Sequence, residues 1–259
     1  MNYNSRSDIS GSPQLTIVIP SFNQGKYLEK ALLSIMAAQT RVEIFVIDGG
    51  STDNTLGIIK KYEDKLAGWC SEPDDGQSWA INKGMKLGVS PLVTWLNADD
   101  TFYPDGLDKL VGYMENNPSC AMVYGKGDFI DECDHQLGHY PTRKFSEYLF
   151  ATYCIVSQPA VVMRRSTWEK VNGVDESLHM CMDYDLWWRV YKEFGPLTYV
   201  HELVASTRIH DQTKTTTRRR QHYTEAMALV KKYYGRVPIK WYLFWPYKVW
   251  YLEWKRKKN

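Results

Sequence analysis

The chain runs to 259 residues, enough for one large hydrophobic core or two small ones. With 24% charged and 14% aromatic residues, including 10 Trp and 18 Tyr, its composition excludes a disordered chain. The net charge of +2 hides an asymmetry: residues 214–259 hold 13 Lys or Arg and two acidic residues, +11 net, which leaves −9 on residues 1–213.

An acidic body joined to a basic tail implies two different jobs. Five Cys (Cys70, Cys120, Cys133, Cys154 and Cys181) are scattered and odd in number, with no Cys-x-x-Cys pair. That pattern speaks against a disulfide framework or a zinc site and for a reducing compartment. Residues 1–13 are polar, lack the apolar stretch of a signal peptide and are expected to be flexible. No window reaches eighteen uninterrupted apolar residues, so no ordinary membrane span is expected.

In chain order, Leu15 to Ile19 reads as a short strand stopped by Pro20, and Ser21 to Gly25 as a loop. Lys26 to Ala38 carries helical spacing through Leu28, Ala31, Leu32 and Ile35. Val42 to Ile47 is a second strand, closed by Asp48-Gly49-Gly50-Ser51. A helix over about Asn54 to Leu66 follows, then a short strand at Trp69-Cys70, a turn at Asp74-Asp75-Gly76 and a helix over Ser78 to Leu87. Leu92 to Leu96 is the central strand. This alternation predicts right-handed crossovers and a mainly parallel sheet. Pro104 opens the next helix. Ala121 to Tyr124 reads as a strand, Gly125 to Gly138 as a polar, hairpin-like excursion, and Ser157 to Met163 as a strand leading into Arg164-Arg165 and a short helix. Asn172 to Glu176 is a turn and Asp183 to Phe194 a helix with Leu186, Trp187 and Val190 inward. Arg208 to Thr216 closes the body.

The chemistry concentrates where the central strand ends, in Asn97-Ala98-Asp99-Asp100. Adjacent carboxylates leaving an apolar strand repel each other and lose hydration unless a cation sits beside them. The carboxyl ends of strands in open α/β sheets are where ligands bind, and oxygen ligands there suit Mg²⁺ or Mn²⁺ shared with phosphates. The plain alternative is an Asp-capped turn. The first half reads as a nucleotide site, but no Gly-x-Gly-x-x-Gly or P-loop is present. Asp48, at a strand end beside two glycines, suits a base or ribose, although such a loop also serves as simple punctuation.

Together the motifs are more specific. Ile17-Val-Ile-Pro-Ser-Phe-Asn-Gln-Gly-Lys-Tyr-Leu28, Val46-Ile-Asp-Gly-Gly-Ser-Thr-Asp-Asn-Thr55, Trp95-Leu-Asn-Ala-Asp-Asp100 and Met182-Asp-Tyr-Asp-Leu-Trp187 resemble those of family 2 glycosyltransferases. The resemblance runs from about Leu15 to Thr213 and implies an inverting enzyme of the GT-A fold. Ser71-Glu-Pro-Asp-Asp-Gly-Gln-Ser-Trp-Ala-Ile-Asn-Lys-Gly84 is similar to the branch that assembles colanic acid and other bacterial polysaccharides. By this resemblance Pro20, Ser21 and Asn23 line the nucleotide pocket, Asp48 contacts base or ribose, and Gln77 and Asn82 lie beside nucleotide or sugar. The family often has a second Asp after Asp48. Here it is Gly49, so that contact is absent or supplied elsewhere. The metal motif, usually Asp-x-Asp, reads Asn97-Ala98-Asp99: Asp99 matches the metal ligand, Asn97 and Ala98 fall to the nucleotide, and Asp100 stands behind them. His210 resembles a family His near metal and diphosphate, and Arg208 and Lys214 offer positive charge to the diphosphate. Asp183 corresponds to the catalytic base, with Met182 where a Glu is usual. Its simpler reading is a helix N-cap, whose dipole would lower its pKa.

The expectation is a metal-dependent (Mn²⁺ or Mg²⁺) inverting glycosyltransferase, residues 14–213, with a nucleotide-binding half (14–100) and an acceptor half (101–213). Its donor is a nucleotide-diphosphate sugar, UDP by default, and its acceptor a glycan, lipid-linked, in bacterial surface polysaccharide synthesis. No nucleic-acid partner is expected. The alternatives are a sugar-nucleotide nucleotidyltransferase, which lacks its Gly-rich basic signature here, and a non-catalytic sugar-binding protein, against which Asp99 and Asp183 speak. In the tail (214–259), Arg218 to Tyr234 has helical spacing with Met227, Leu229 and Val230 inward. The aromatic and basic stretch from Ile239 to Lys258 is expected to break at Pro246. Trp and Tyr favour the membrane boundary and Lys and Arg favour anionic headgroups, which suggests peripheral binding at the cytoplasmic face of the cell membrane. The sober alternative packs these aromatics on the body or on a second subunit.

Overall fold

The computed structural model describes residues 2–3, 12–211 and 213–254. The first strands are β1 (Asn2–Tyr3), β2 (Leu15–Ser21), β3 (Val42–Asp48), β4 (Gly68–Ser71) and β5 (Leu92–Trp95), interleaved with α1 (Leu28–Met36), α2 (Thr55–Lys61) and α3 (Gln77–Leu87). The seven residues of β2 are all buried, as a parallel strand covered on both faces requires. Its helical cover comes close: a side-chain carbon on Gly84 would stand 2.5 Å from Val18, so α3 lies nearly on the sheet.

The second half adds β6 (Thr101–Phe102), α4 (Gly106–Asn116), β7 (Met122–Ile130), β8 (Gln136–His139), α5 (Glu147–Thr152), β9 (Val161–Arg164), α6 (Arg165–Lys170), α7 (Met182–Phe194) and β10 (Thr198–Arg208). Among the described residues one ten-stranded sheet forms, ordered β1-β4-β3-β2-β5-β9-β7-β10-β6, with β8 on β7. Strands β4, β3, β2 and β5 are mutually parallel, as are β7 and β10, and these pairings carry most of the ladder. Antiparallel β9 joins the two blocks.

Three elements depart from the sequence reading. The polar excursion from Gly125 begins as strand, since β7 runs on to Ile130 and only then turns into β8. Thr198–Arg208, which carries no clean alternation, is the long strand β10, irregular in register between Tyr199 and Ala205. Pro246 does not break the tail. After α8 (Lys214–Thr217), α9 (Arg219–Tyr234) and α10 (Ile239–Trp245), the chain stays helical through a π-turn over Pro246–Tyr251. The wider register accommodates a residue that has no N–H to give.

The expected seam at 213/214 is not a seam in the packing. Ala226, Leu229 and Val230 of α9, and Trp241 of α10, share one buried cluster with Trp187 and Trp188 of α7. Trp241 donates its indole N–H to Ala151 O at 2.8 Å, and Tyr233 stacks on Trp188 with ring centroids 5.8 Å apart. The opposite face of the tail stays bare: Ile239, Leu243 and Trp250 are 71%, 67% and 65% exposed. Of the expected flexible N-terminus, residues 1 and 4–11 lie outside the described residues, as does the basic run from Lys255 to Lys258.

At the N-terminal edge of the sheet, Glu43 Oε1 accepts from the Thr16 hydroxyl, the Val89 and Ser90 N–H groups and the Ser90 hydroxyl at 2.5–2.7 Å. Arg165 closes this knot through Ser90 O, Met85 O and Thr16 Oγ1. All five cysteines are free, and no helix of the described residues is long and apolar enough to cross a membrane.

Candidate active site

The opposite, C-terminal edge collects the residues singled out by sequence. Strand β5 delivers Asn97 to Asp100. Asp99 Oδ2 lies 2.9 Å from His210 Nε2, in a pair whose carboxylate is 20% exposed and whose imidazole is 5% exposed. Asp100 is turned inward: it accepts from Arg208 N–H at 3.0 Å and Asn97 Nδ2 at 2.9 Å. Burial, and then the neighbouring Asp99 charge, hold its carboxyl well above the usual range. The two adjacent carboxylates thus avoid each other by facing different environments.

Asn97 is also turned inward. Its Nδ2 donates to Asp100 and to Gln158 Oε1, and its Oδ1 accepts from Gln77 Nε2 at 2.6 Å. Ala98 is 2% exposed, its methyl in the core, so only its backbone remains for a ligand. Lys214 donates to Gln77 Oε1 at 2.8 Å. Burial and Arg218 pull the Lys214 ammonium pKa down against Asp99 and Asp74, which pull it up, and the net direction is down. Arg208 does not reach for a ligand. It is 1% exposed and clamps Asp99 O and Asp131 O, beside Asp134.

Pro20 and Ser21 end β2, Ser21 being 6% exposed with its Oγ unpartnered among the described residues. Asn23 takes a left-handed φ of 52° and accepts from Thr52 N–H at 2.9 Å, tying the first loop to the second. Between them Phe22 is 60% exposed, an aromatic face at the strand end that the sequence reading passed over. Asp48 is not brought to an open surface, whereas Asn82 is half-buried. Asp48 is 0% exposed and its carboxylate accepts from Gly50 N–H, Ser51 N–H and the Ser51 and Ser71 hydroxyls. Asn82 spends its amide on Val174 and Glu176. Both side chains thus brace loops in this structure, while among the described residues Asp48 Oδ1 accepts a single hydrogen bond, from the Ser51 hydroxyl.

Asp183 is the second residue of α7; Cys181 takes the cap position without a side-chain bond. It accepts from Tyr184 N–H at 2.8 Å and is half-buried in a wall that includes Tyr140, Cys154 and Cys181. Burial outweighs the helix N-terminus, and the carboxyl is pushed up to about 6, not lowered. Two contacts tie it to the strand ends. Adjacent residues of the first turn of α3 reach both: Gln77 bonds Asn97, while the Ser78 hydroxyl lies 2.7 Å from Met182 Sδ. Deeper in, Trp95 of β5 stacks on Trp187 of α7, with centroids 5.7 Å apart and planes 18° apart. The strand that ends in Asp99 and the helix that begins beside Asp183 are therefore fixed to each other.

A mixed, mainly parallel sheet with acidic residues at its carboxyl edge and Asp183 on a facing helix is the arrangement of a GT-A glycosyltransferase fold. Staphylococcus aureus TarS 1-349 in complex with UDP-GlcNAc matches it with a TM-score of 0.68 at 16% identity, over 84% of this chain and 65% of that one. The mannosyltransferase PcManGT from Pyrobaculum calidifontis, in complex with GDP-Man and Mn²⁺, matches with a TM-score of 0.63 at 15% identity, over 88% and 68%. The model of glycosyl transferase family 2 covers residues 16–171, and the chain belongs to that family. An uncharacterized glycosyltransferase of Rickettsia typhi is 28% identical over 215 residues, 80% of this chain and 67% of the relative. The chondroitin synthase of Escherichia coli is 23% identical over 238 residues, 90% of this chain but 34% of the synthase. The chain thus spans about two thirds of the Rickettsia relative and a third of the synthase.

Proposed function

We propose that this glycosyltransferase moves a sugar from a nucleotide-diphosphate donor, UDP-linked in the first instance, to a glycan hydroxyl with inversion. The observation that carries the reading is the joint fixing of Asp99 and Asp183 through the first turn of α3 and the Trp95–Trp187 stack. Pro20, Ser21, Asn23 and Gln77 border the donor, and Lys214 brings positive charge toward its diphosphate. The TarS complex with UDP-GlcNAc and the PcManGT complex with GDP-Man support such a donor.

The acidic edge suits a divalent ion. Asp99 Oδ2 and His210 Nε2 lie 2.9 Å apart as a hydrogen-bonded pair, an oxygen and a nitrogen of the kinds that would hold such an ion. Among the described residues no three His, Cys, Asp or Glu converge. Asp99 and His210 would hold Mn²⁺ or Mg²⁺, which when bound would supply Lewis-acid stabilisation of a diphosphate leaving group. Asp183 takes the proton of the acceptor hydroxyl, whose oxygen attacks the anomeric carbon from the face opposite the diphosphate. A carboxyl with a pKa near 6 is ionised at neutral pH yet more basic than an ordinary aspartate.

The tail supports a lipid-linked acceptor in surface-polysaccharide assembly. Its bare aromatic and aliphatic face, with Lys240 and Lys248 nearby, suits an anionic bilayer at the cytoplasmic side. The test is release or transfer of sugar from UDP-GlcNAc, UDP-glucose and GDP-mannose, with Mn²⁺ and with EDTA. Metal-dependent turnover of one donor is expected. No turnover of any, or full turnover in EDTA, overturns the reading.

A further inference from the structure

Helix α7 carries Asp183 in its first turn, yet the residue at its cap position, Cys181, makes no side-chain bond to the helix. A helix N-terminus leaves backbone N–H groups without partners, and a carboxylate nearby satisfies them while meeting the positive end of the helix. Here that carboxylate comes from the tail. Glu225 of α9 accepts through Oε2 from the Met180 N–H at 2.9 Å and the Cys181 N–H at 3.2 Å. Its other oxygen accepts from Gln221 Nε2 at 3.0 Å, one turn back on the same helix, so both oxygens are held. The Cys181 thiol donates to His222 O at 3.4 Å, a third bond to the same stretch of α9.

Asp183 depends on this anchorage, because its carboxylate has no anchor of its own. Among the described residues its hydrogen bonds stay within its own turn. The side chains of Tyr140, Cys154, Cys181 and Tyr184 wall it in. Each of them gives its proton elsewhere, to Cys154 O, Val156 O, His222 O and Phe150 O in turn. The carboxylate therefore goes where the turn goes. That turn is gripped from two sides. From α3, the Ser78 hydroxyl lies 2.7 Å from Met182 Sδ and 3.3 Å from Leu178 O, with one proton to share between them. From α9, the two bonds to Glu225 are charge-assisted, the stronger kind. Helix α9 is itself set into the body by Ala226, Leu229 and Val230, all buried, so the support it offers is fixed.

We infer that Glu225 is a positioning residue for the transfer reaction: by holding the first turn of α7 from the tail, it sets where the Asp183 carboxylate stands toward the acceptor hydroxyl. The inference rests on the reading of Asp183 as the base given above. It makes α9 a working part of the site. Of the two acidic residues in the strongly basic tail, one is spent on the helix that carries the base.

Donor hydrolysis by the full chain, in which water takes the acceptor's place, tests it with Mn²⁺ and whichever of UDP-GlcNAc, UDP-glucose and GDP-mannose is turned over. Misplacing a reacting group by about 1 Å costs up to about 10²-fold, so Glu225→Ala lowers kcat per folded enzyme by about 10- to 100-fold. Donor KM stays near native. In the loosened turn Asp183 meets more water, and the acid limb of the kcat profile moves from about 6 toward the ordinary carboxylate range. Glu225→Gln keeps an acceptor oxygen for both N–H groups and restores most of the rate and of the limb. Glu225→Asp keeps the charge but draws it back by one methylene. It lowers kcat in the same way and serves if the alanine variant unfolds. Native kcat per folded enzyme and a native acid limb in the Ala and Asp variants, with Asp183→Asn inactive, overturn the inference and leave the base standing. An Asp183→Asn variant as fast as the native chain, or a native chain that turns over none of the donors, removes both.

Discussion

At the N-terminal edge of the sheet, Glu43 gathers two hydroxyls and two backbone N–H groups, and Arg165 is held by three oxygens around it. At the C-terminal edge, among the described residues, Asp74 keeps an oxygen without a hydrogen bond, Asp99 faces the His210 imidazole, and Asp183 accepts from the Tyr184 N–H. The same side-chain chemistry serves opposite ends. Where bonding capacity is filled from within, a carboxylate stabilises the fold. Where capacity is left over, the fold bears the cost of desolvating a charge and gains a place for a ligand.

The largest break in this comparison is expected at Asp183. Replacement by Asn lowers turnover by about 10²–10⁴, the usual worth of a general base, with little change in donor affinity. In the native enzyme the rate on bound substrate falls as pH drops through about 6, because the base becomes protonated. The stability effect has the opposite sign. The folded pKa lies above the ordinary 3.8, so the folded state binds the proton more tightly, and stability is lost as pH rises from about 4 to about 6. Asp183→Asn therefore raises the melting temperature at pH 7.5 by a few degrees. A variant that is both inactive and less stable would move Asp183 to the structural side.

Asp99→Ala comes next. It removes one of the two residues proposed to hold the metal and is expected to cost on the order of 10² or more in metal-dependent turnover. The melting curve stays near native. Titration of Mn²⁺ against rate checks it, and an unchanged metal requirement contradicts it. Glu43→Ala sharpens the contrast from the other edge. It strands several buried donors and destabilises by about 3 kcal/mol in a denaturant titration, while kcat of the folded enzyme is retained. The smallest effect is expected in the tail. Trp250→Ser with Leu243→Ser weakens sedimentation with anionic vesicles by about tenfold and leaves donor hydrolysis unchanged. Point changes on the bare face suit this test better than truncation after Tyr234, which also removes the core contacts of Trp241 and Val249.

The first long elements were legible because buried parallel strands read as continuous apolar runs and amphipathic helices have a clear period, as Leu15–Ser21 and Leu28–Met36 show. Strand β10 was not, since its burial alternates irregularly around a register shift and it carries His201 and Glu202 among its apolar residues. The far half of β7 was obscured by Gly125, Lys126, Gly127 and Asp128, types that favour loops in isolation. At the site, Asp99, His210 and Asp183 were singled out from the sequence, and the structure pairs the first two. The bracing by Asp48 was not legible, because one of its partners is Ser71, 23 residues away. Asp74 read only as a turn residue; its approach to Gly49 exists only once two loops meet.

The seating of the tail has a mechanical consequence. Val249 is fully buried and Trp241 is bonded to Ala151, so the bare aromatic face is bolted to the catalytic body and not tethered to it. If that face rests on a bilayer, the height of Asp183 above the headgroups is a constant of the molecule. Such an enzyme acts as a depth gauge. It glycosylates hydroxyls held at one standoff from the surface, and each added sugar that lengthens the acceptor carries the next hydroxyl out of range.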